Sequence, residues 1–230
     1  MTRRRSGSPR KPQSSATQAS QPRFALDPYF ACLIFAATGL GTLQLGTSPR
    51  LLLLWMTLLA LWIAFREGQA IKLQYTFAEI GRGAGIGLVF GLPIMLLTFR
   101  SLAAAIPILF VSTQQPALAG PAGTTILASL VLVAPLAEEL FFRDILQRAT
   151  GIWITIGLYA AAGVILYLPT AGKYPAVLAA VSGATAMLGA LYAFLNERYG
   201  LTVSLACHTT VNLVLLCIPA LVGHLELFTR

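Results

Sequence analysis

The chain has 230 residues, of which 57% are apolar and only 10% charged, and its mean hydropathy is +0.75. A soluble domain needs far more polar surface than this, so the composition excludes a soluble enzyme and leaves a membrane protein. The formal charge of +8 does not point to nucleic acid, because six of the sixteen Lys and Arg residues fall in the first 23 positions, which hold no acid, and the rest lie outside or between apolar blocks rather than on a folded face.

From Met1 to Arg23 the chain is rich in Ser, Arg, Pro and Gln. Such a segment buries too little apolar area to offset the entropy of ordering, so residues 1–28 are expected to form a disordered basic cytoplasmic tail, and residues 29–230 a membrane-embedded helical domain. The tail lacks the amphipathic apolar residues of a transit peptide, and no short apolar region with a cleavage site marks a signal peptide.

Apolar segments then run from Tyr29 to Leu45, Leu51 to Phe65, Gly83 to Phe110, Thr124 to Leu146, Ile152 to Pro169, Tyr174 to Leu195 and Leu201 to Val222. Most approach the ~20 residues that cross hydrocarbon as a helix. The third contains Pro93, Arg100 and Pro107 and reads as one span or two shorter pieces, which makes seven or eight spans. The expected fold class is therefore an all-α polytopic transmembrane helical bundle. The intervening Arg66 to Arg82 stretch, with Glu67, Lys72 and Glu79 among apolar residues, reads as interfacial and amphipathic. Glycines at 81, 83, 85 and 87 lack the Lys-Ser/Thr of a nucleotide loop and suit close helix contacts. Cys32, Cys207 and Cys217 lie in apolar stretches without metal-site spacing and read as small buried hydrophobes.

In a seven-span arrangement the N-terminal side collects twelve basic residues, Arg143 and Arg148 among them, and the other side Arg50, Lys173 and Arg230. Twelve against three places the N-terminus in the cytoplasm, as expected for a multi-pass protein of the plasma membrane.

Ionisable groups inside apolar spans are costly and therefore the first functional suspects. Glu138 and Glu139 stand side by side in the fourth span with Arg143. Glu139 and Arg143 are spaced i and i+4 and can pair, which leaves Glu138, about 100° around the helix, free to face something else and makes it the better general base. In the last span His208 and Asn212 are again i and i+4 on one face, and Ser or Thr apart their helix is apolar. Counted from Arg148 and Arg198, Glu138 and His208 both lie ~15 Å deep at about 1.5 Å per residue, so they can meet. Two carboxylates, an imidazole and a carboxamide at one level can provide a base, a proton donor and an oxyanion donor. The bland reading is that these groups fasten helices together. His224, beyond the last span, reads as a solvent or headgroup residue, and Asp144 and Gln147 as side chains reaching the interface with Arg148.

The Glu-Glu-x-x-x-Arg of Glu138, Glu139 and Arg143, followed about seventy residues later by the His-x-x-x-Asn of His208 and Asn212, resembles the CPBP (CAAX protease and bacteriocin-processing, or Abi) family of intramembrane proteases. The resemblance covers roughly residues 124–222. It implies a helical fold enclosing a polar, water-filled cavity in which the first glutamate activates water for peptide hydrolysis. It also implies membrane-associated peptide or protein substrates, such as the C-terminal tripeptides of prenylated proteins or bacteriocin-related peptides, with the lipid bilayer as surroundings. The implied catalytic set is Glu138, Glu139, Arg143, His208 and Asn212.

The family's middle motif, Phe-x-x-x-His, has its best counterpart in Leu166 to Thr170, where threonine stands in place of histidine. With only His208 and His224 in the chain, a two-histidine, one-glutamate zinc site cannot be assembled, so no metal and no cofactor are expected. Two functions follow: a glutamate-based membrane endopeptidase, or a degenerate, non-hydrolytic binding or immunity protein that lost turnover with the histidine. A small transporter would also bury carboxylates, but no inverted repeat supports it.

Overall fold

A computed structural model describes residues 27–66, 75–110 and 121–220. The expectations for the tail up to residue 26, for Glu67 and Lys72, and for His224 lie outside the described residues. Every regular element described is helical.

The first helix, α1 (Pro28–Gly41), starts where Asp27 accepts a hydrogen bond from the Tyr29 amide at 2.9 Å and Pro28 occupies the first turn. It is followed by α2 (Thr47–Phe65) and α3 (Phe77–Phe110). The latter runs unbroken through Pro93 and Arg100, so the third apolar segment is one long helix rather than two. The fourth segment is a rod made of α4 (Pro121–Ala128), a π-helical turn (Ser129–Val133), α5 (Ala134–Glu138), a second π-helical stretch (Glu139–Leu146) and α6 (Gln147–Thr150). Then come α7 (Ile152–Ala171), α8 (Pro175–Tyr199) and α9 (Leu201–Asn212), which continues into a third π-helical turn (Leu213–Cys217). Gly151 and Gly200, with φ of 85° and 92°, make the sharp reversals from α6 to α7 and from α8 to α9, in backbone space that other residues rarely adopt.

Six of the described helical stretches are long and apolar enough to cross a membrane, and α1 is a shorter apolar helix. The rod is the most enclosed of them: α2, α7 and α9 all pack on it. Small residues let the remaining helices approach. A Cβ at Gly83 would lie 2.4 Å from the Val203 carbonyl, one at Gly87 2.9 Å from the Cys207 carbonyl, and one at Gly91 3.3 Å from Val214, whereas Gly81 and Gly85 face open space. The stripe at every fourth residue therefore seats α3 against α9, the helix that carries His208.

Arg50, counted above as a loop cation, is buried in the first turn of α2. It donates to the carbonyls of Leu166 at 2.6 Å, Ile165 at 2.6 Å and Gly39 at 2.9 Å. The reason lies in the backbone. Pro169 has no N–H, so the Ile165 carbonyl four residues earlier loses its helical partner, and Gly39 lies in the last turn of α1. The guanidinium supplies the missing donor at Ile165 and adds one at Gly39, whose carbonyl also accepts from Thr42 Oγ1 at 3.3 Å.

Candidate active site

Glu138 closes α5, and the π-helical stretch starting at Glu139 follows directly. Glu138 faces a cavity of about 190 Å³ that is also lined by His208, Asn212, Tyr159, Tyr167 and Thr185. That is room for several waters. Glu139, turned around the helix, is not among the lining residues and lies buried behind the cavity.

His208 connects the two carboxylates. Its Nδ1 lies 3.0 Å from Glu139 Oε1, and its Nε2 lies 3.9 Å from Glu138 Oε2. A carboxylate can only accept, so Glu139 assigns the proton to Nδ1 and turns Nε2 toward Glu138 and the cavity. Ser204 donates to Glu139 Oε2 at 2.5 Å, and Tyr192 stacks on the imidazole with ring centroids 4.2 Å apart. Arg143 is fully buried, with its Nε 3.9 Å from Glu139 Oε2. Its shorter contact is from Nη2 to the Gly189 carbonyl at 3.0 Å, so the expected i to i+4 pair forms but does not take the whole guanidinium.

Both oxygens of Glu138 accept hydrogen bonds: Oε1 from the Trp55 indole at 3.1 Å and Oε2 from the Tyr159 phenol at 2.6 Å. Sequence reasoning missed Trp55, Tyr159, Ser204 and Tyr192. Ser204 stands four residues before His208, as Asn212 stands four after it, so the face it shares was legible. Trp55 and Tyr159 come from helices whose apolar character carries no such signal.

Asn212 has a structural partner too. In the π-helical turn the Ala134 amide bonds to the Ser129 carbonyl, five residues back. The next carbonyl, Leu130, would by the same step look to Pro135, which has no N–H. Asn212 Nδ2 donates to it at 2.9 Å instead, leaving its second N–H for the cavity.

Thr170 is not among the cavity-lining residues. It sits in the last turn of α7, which begins at Ile152 with no embedded turn, and its hydroxyl bonds to the Tyr167 carbonyl at 3.2 Å. The α7 residue that touches Glu138 is Tyr159, eleven positions earlier, or ~16 Å along a helix. Asp144 and Gln147 also depart from expectation. Asp144 is buried, accepts from Trp62 at 3.0 Å and from Arg66, and forms an ion pair with Arg148, while Gln147 donates to the Ala193 carbonyl at 2.9 Å. They tie the rod to α2 and α8 rather than reaching outward.

Among the described residues no three His, Cys, Asp or Glu side chains converge to hold a metal ion. Glu138 and His208 Nε2 have no third ligand beside them among the described residues, so the donor set does not fit a catalytic zinc.

Buried carboxylates and an imidazole around a cavity, among helices long enough to span a bilayer, describe a multi-pass membrane protein with a polar centre between its spans. Residues 120–214 match the family model described as type II CAAX prenyl endopeptidase Rce1-like, a model of the CPBP family, in agreement with the two motifs. No curated protein and no solved structure matches the chain.

Proposed function

We propose that the protein is an intramembrane endopeptidase in which Glu138 activates a water held in the cavity. The observation that carries this reading is the approach of His208 Nε2 to Glu138 Oε2 at 3.9 Å on the wall of that cavity. A water hydrogen-bonded to both groups is within proton-transfer reach of each. Glu138 takes its proton as the oxygen attacks the scissile carbonyl, and the free N–H of Asn212 offers a donor to the developing oxyanion. His208, held by Glu139 and Ser204, accepts from the water through Nε2 and orients it, and Glu138 then delivers the proton it took to the leaving amine. The family match supports a membrane-associated peptide as substrate, a prenylated C-terminal segment being the first to try. The arginine count supports a cytoplasmic N-terminus in the plasma membrane.

The test is hydrolysis by the purified protein in liposomes, with a prenylated CAAX peptide and an unprenylated membrane peptide as substrates. Glu138→Gln is expected to lower kcat by about 100-fold or more, the usual contribution of a general base, with folding retained.

A second reading, a non-hydrolytic binding or immunity protein, is favoured by one observation: both oxygens of Glu138 already accept hydrogen bonds. It predicts retention of the peptide without product.

A further inference from the structure

The mechanism above leaves the Tyr159 phenol unused, although it makes the shortest contact to Glu138. We propose that Tyr159 is a positioning residue for Glu138, its hydroxyl fixing the same Oε2 that faces His208, so that α7 supplies through Tyr159 the cavity-side polar group that Thr170, outside the lining, does not. The inference rests on the endopeptidase reading for its kinetic part and on geometry alone for the rest.

Three observations carry it. The phenol donates to Oε2 at 2.6 Å, and with the Trp55 indole on Oε1 at 3.1 Å it leaves the carboxylate plane no freedom to turn. A bond of that length to a carboxylate belongs to the stronger, charge-assisted class. The ring itself is immobilised from three sides. Phe142 meets it edge-on with centroids 5.1 Å apart, and the Arg143 guanidinium lies over its face at 4.9 Å. On the third side Gly189 is so close that a Cβ there would lie 2.6 Å from Tyr159 Cδ1. Finally, Arg143 Nη2 bonds the Gly189 carbonyl at 3.0 Å, so the arginine of the double-glutamate motif holds both the ring and the wall the ring leans on. Arg143 thereby acts on Glu138 through Tyr159 as well as on Glu139 directly.

The groups that face Glu138 are Trp55 from α2, Tyr159 and Tyr167 from α7, and His208 from α9. Tyr159 places a hydroxyl donor on the oxygen facing His208. A preorganised donor of this kind removes the reorientation that Glu138 would otherwise undergo each time it takes a proton.

Two measurements test the proposal. Tyr159→Phe keeps the ring with its packing and removes one hydrogen bond. In the liposome assay kcat is expected to fall roughly 10- to 100-fold, the range set by one hydrogen bond to a charged group, with KM within about twofold and an unchanged melting temperature. Gly189→Ala, which displaces the ring but keeps the hydroxyl, is expected to show the same loss in kcat. Infrared difference spectra supply a readout that needs no turnover. Tyr159→Phe should shift a carboxylate stretching band, and the shift should vanish in a Glu138→Gln background. An unshifted band, or kcat within about twofold of wild type in Tyr159→Phe, overturns the proposal. If the wild-type protein hydrolyses nothing, the endopeptidase reading falls, and the infrared bands alone decide whether Tyr159 holds Glu138.

Discussion

Arg50 and Arg143 illustrate what a charge inside a bilayer must find. Arg50 meets three carbonyls, two of them freed by a helix end and a proline, and Arg143 meets a carbonyl, an aromatic face and a carboxylate. Arg50→Met leaves the Ile165 carbonyl, opposite Pro169, without a donor in a low-dielectric place. It is expected to lower stability by roughly 2–5 kcal/mol in detergent unfolding, with Arg50→Lys intermediate because one ammonium cannot reach all three. Arg143→Ala strands Glu139 and unlocks Tyr159, so it should cost about 3 kcal/mol or more and also reduce any hydrolysis that remains. Wild-type melting of either variant would refute the assignment. Thr170→His, placed away from the cavity lining, is expected to leave hydrolysis unchanged. A gain in product would mean that α7 moves to bring position 170 into the site.

Between elements, the decisive contacts are those that set the depth of α9. The glycines at every fourth residue of α3, Gly83, Gly87 and Gly91, abut α9 and its continuation, so the register of His208 against Glu138 depends on backbone proximity. Gly87→Leu therefore should separate the helices and lower both stability and activity. Gly85→Leu, with nothing within 4 Å of its Cβ, should change stability by no more than about 0.5 kcal/mol. Equal melting temperatures for the two variants would show that the stripe is not the seat. The π-helical stretches belong to the same scale. By adding a residue per turn beside Pro135 they leave a carbonyl that Asn212 can reach, which joins α9 to the rod at the level of the cavity.

The whole molecule has one polar end that the contacts define. Arg66 and Arg148 meet at Asp144, and Arg82 lies over Tyr199, so the end of α2, the end of α6, the start of α3 and the end of α8 share a side. In the seven-span count made from the sequence, removing the buried Arg50 and Arg143 leaves eleven basic residues on the N-terminal side and two on the other. Impermeant thiol labelling in intact cells should accordingly spare a cysteine placed in the N-terminal tail and reach one placed at Lys173; the opposite pattern reverses the orientation. Elemental analysis of chelator-washed protein is expected to find no stoichiometric zinc, since among the described residues no third ligand converges on Glu138 and His208. Zinc that depends on His208 would overturn this.

By itself the sequence determined the membrane setting, the helical class, the order of the spans and the residues of the double-glutamate and histidine-asparagine motifs. Each of these follows from local quantities: composition, segment length and i, i+4 spacing along one helix. The glycine stripe was legible in kind for the same reason. What the tertiary structure decided is which groups meet across helices. Glu139 rather than Glu138 takes His208 Nδ1, Tyr159 rather than position 170 reaches the cavity carboxylate, and Arg50 and Asp144 turn inward. The physical reason is that a donor in an apolar helix carries no period of its own. Trp55 and Tyr159 look like ordinary span residues until packing brings a carboxylate within hydrogen-bond distance, and a backbone carbonyl acquires a need for Arg50 or Asn212 only once a proline or a π-helical turn has deprived it of its own partner.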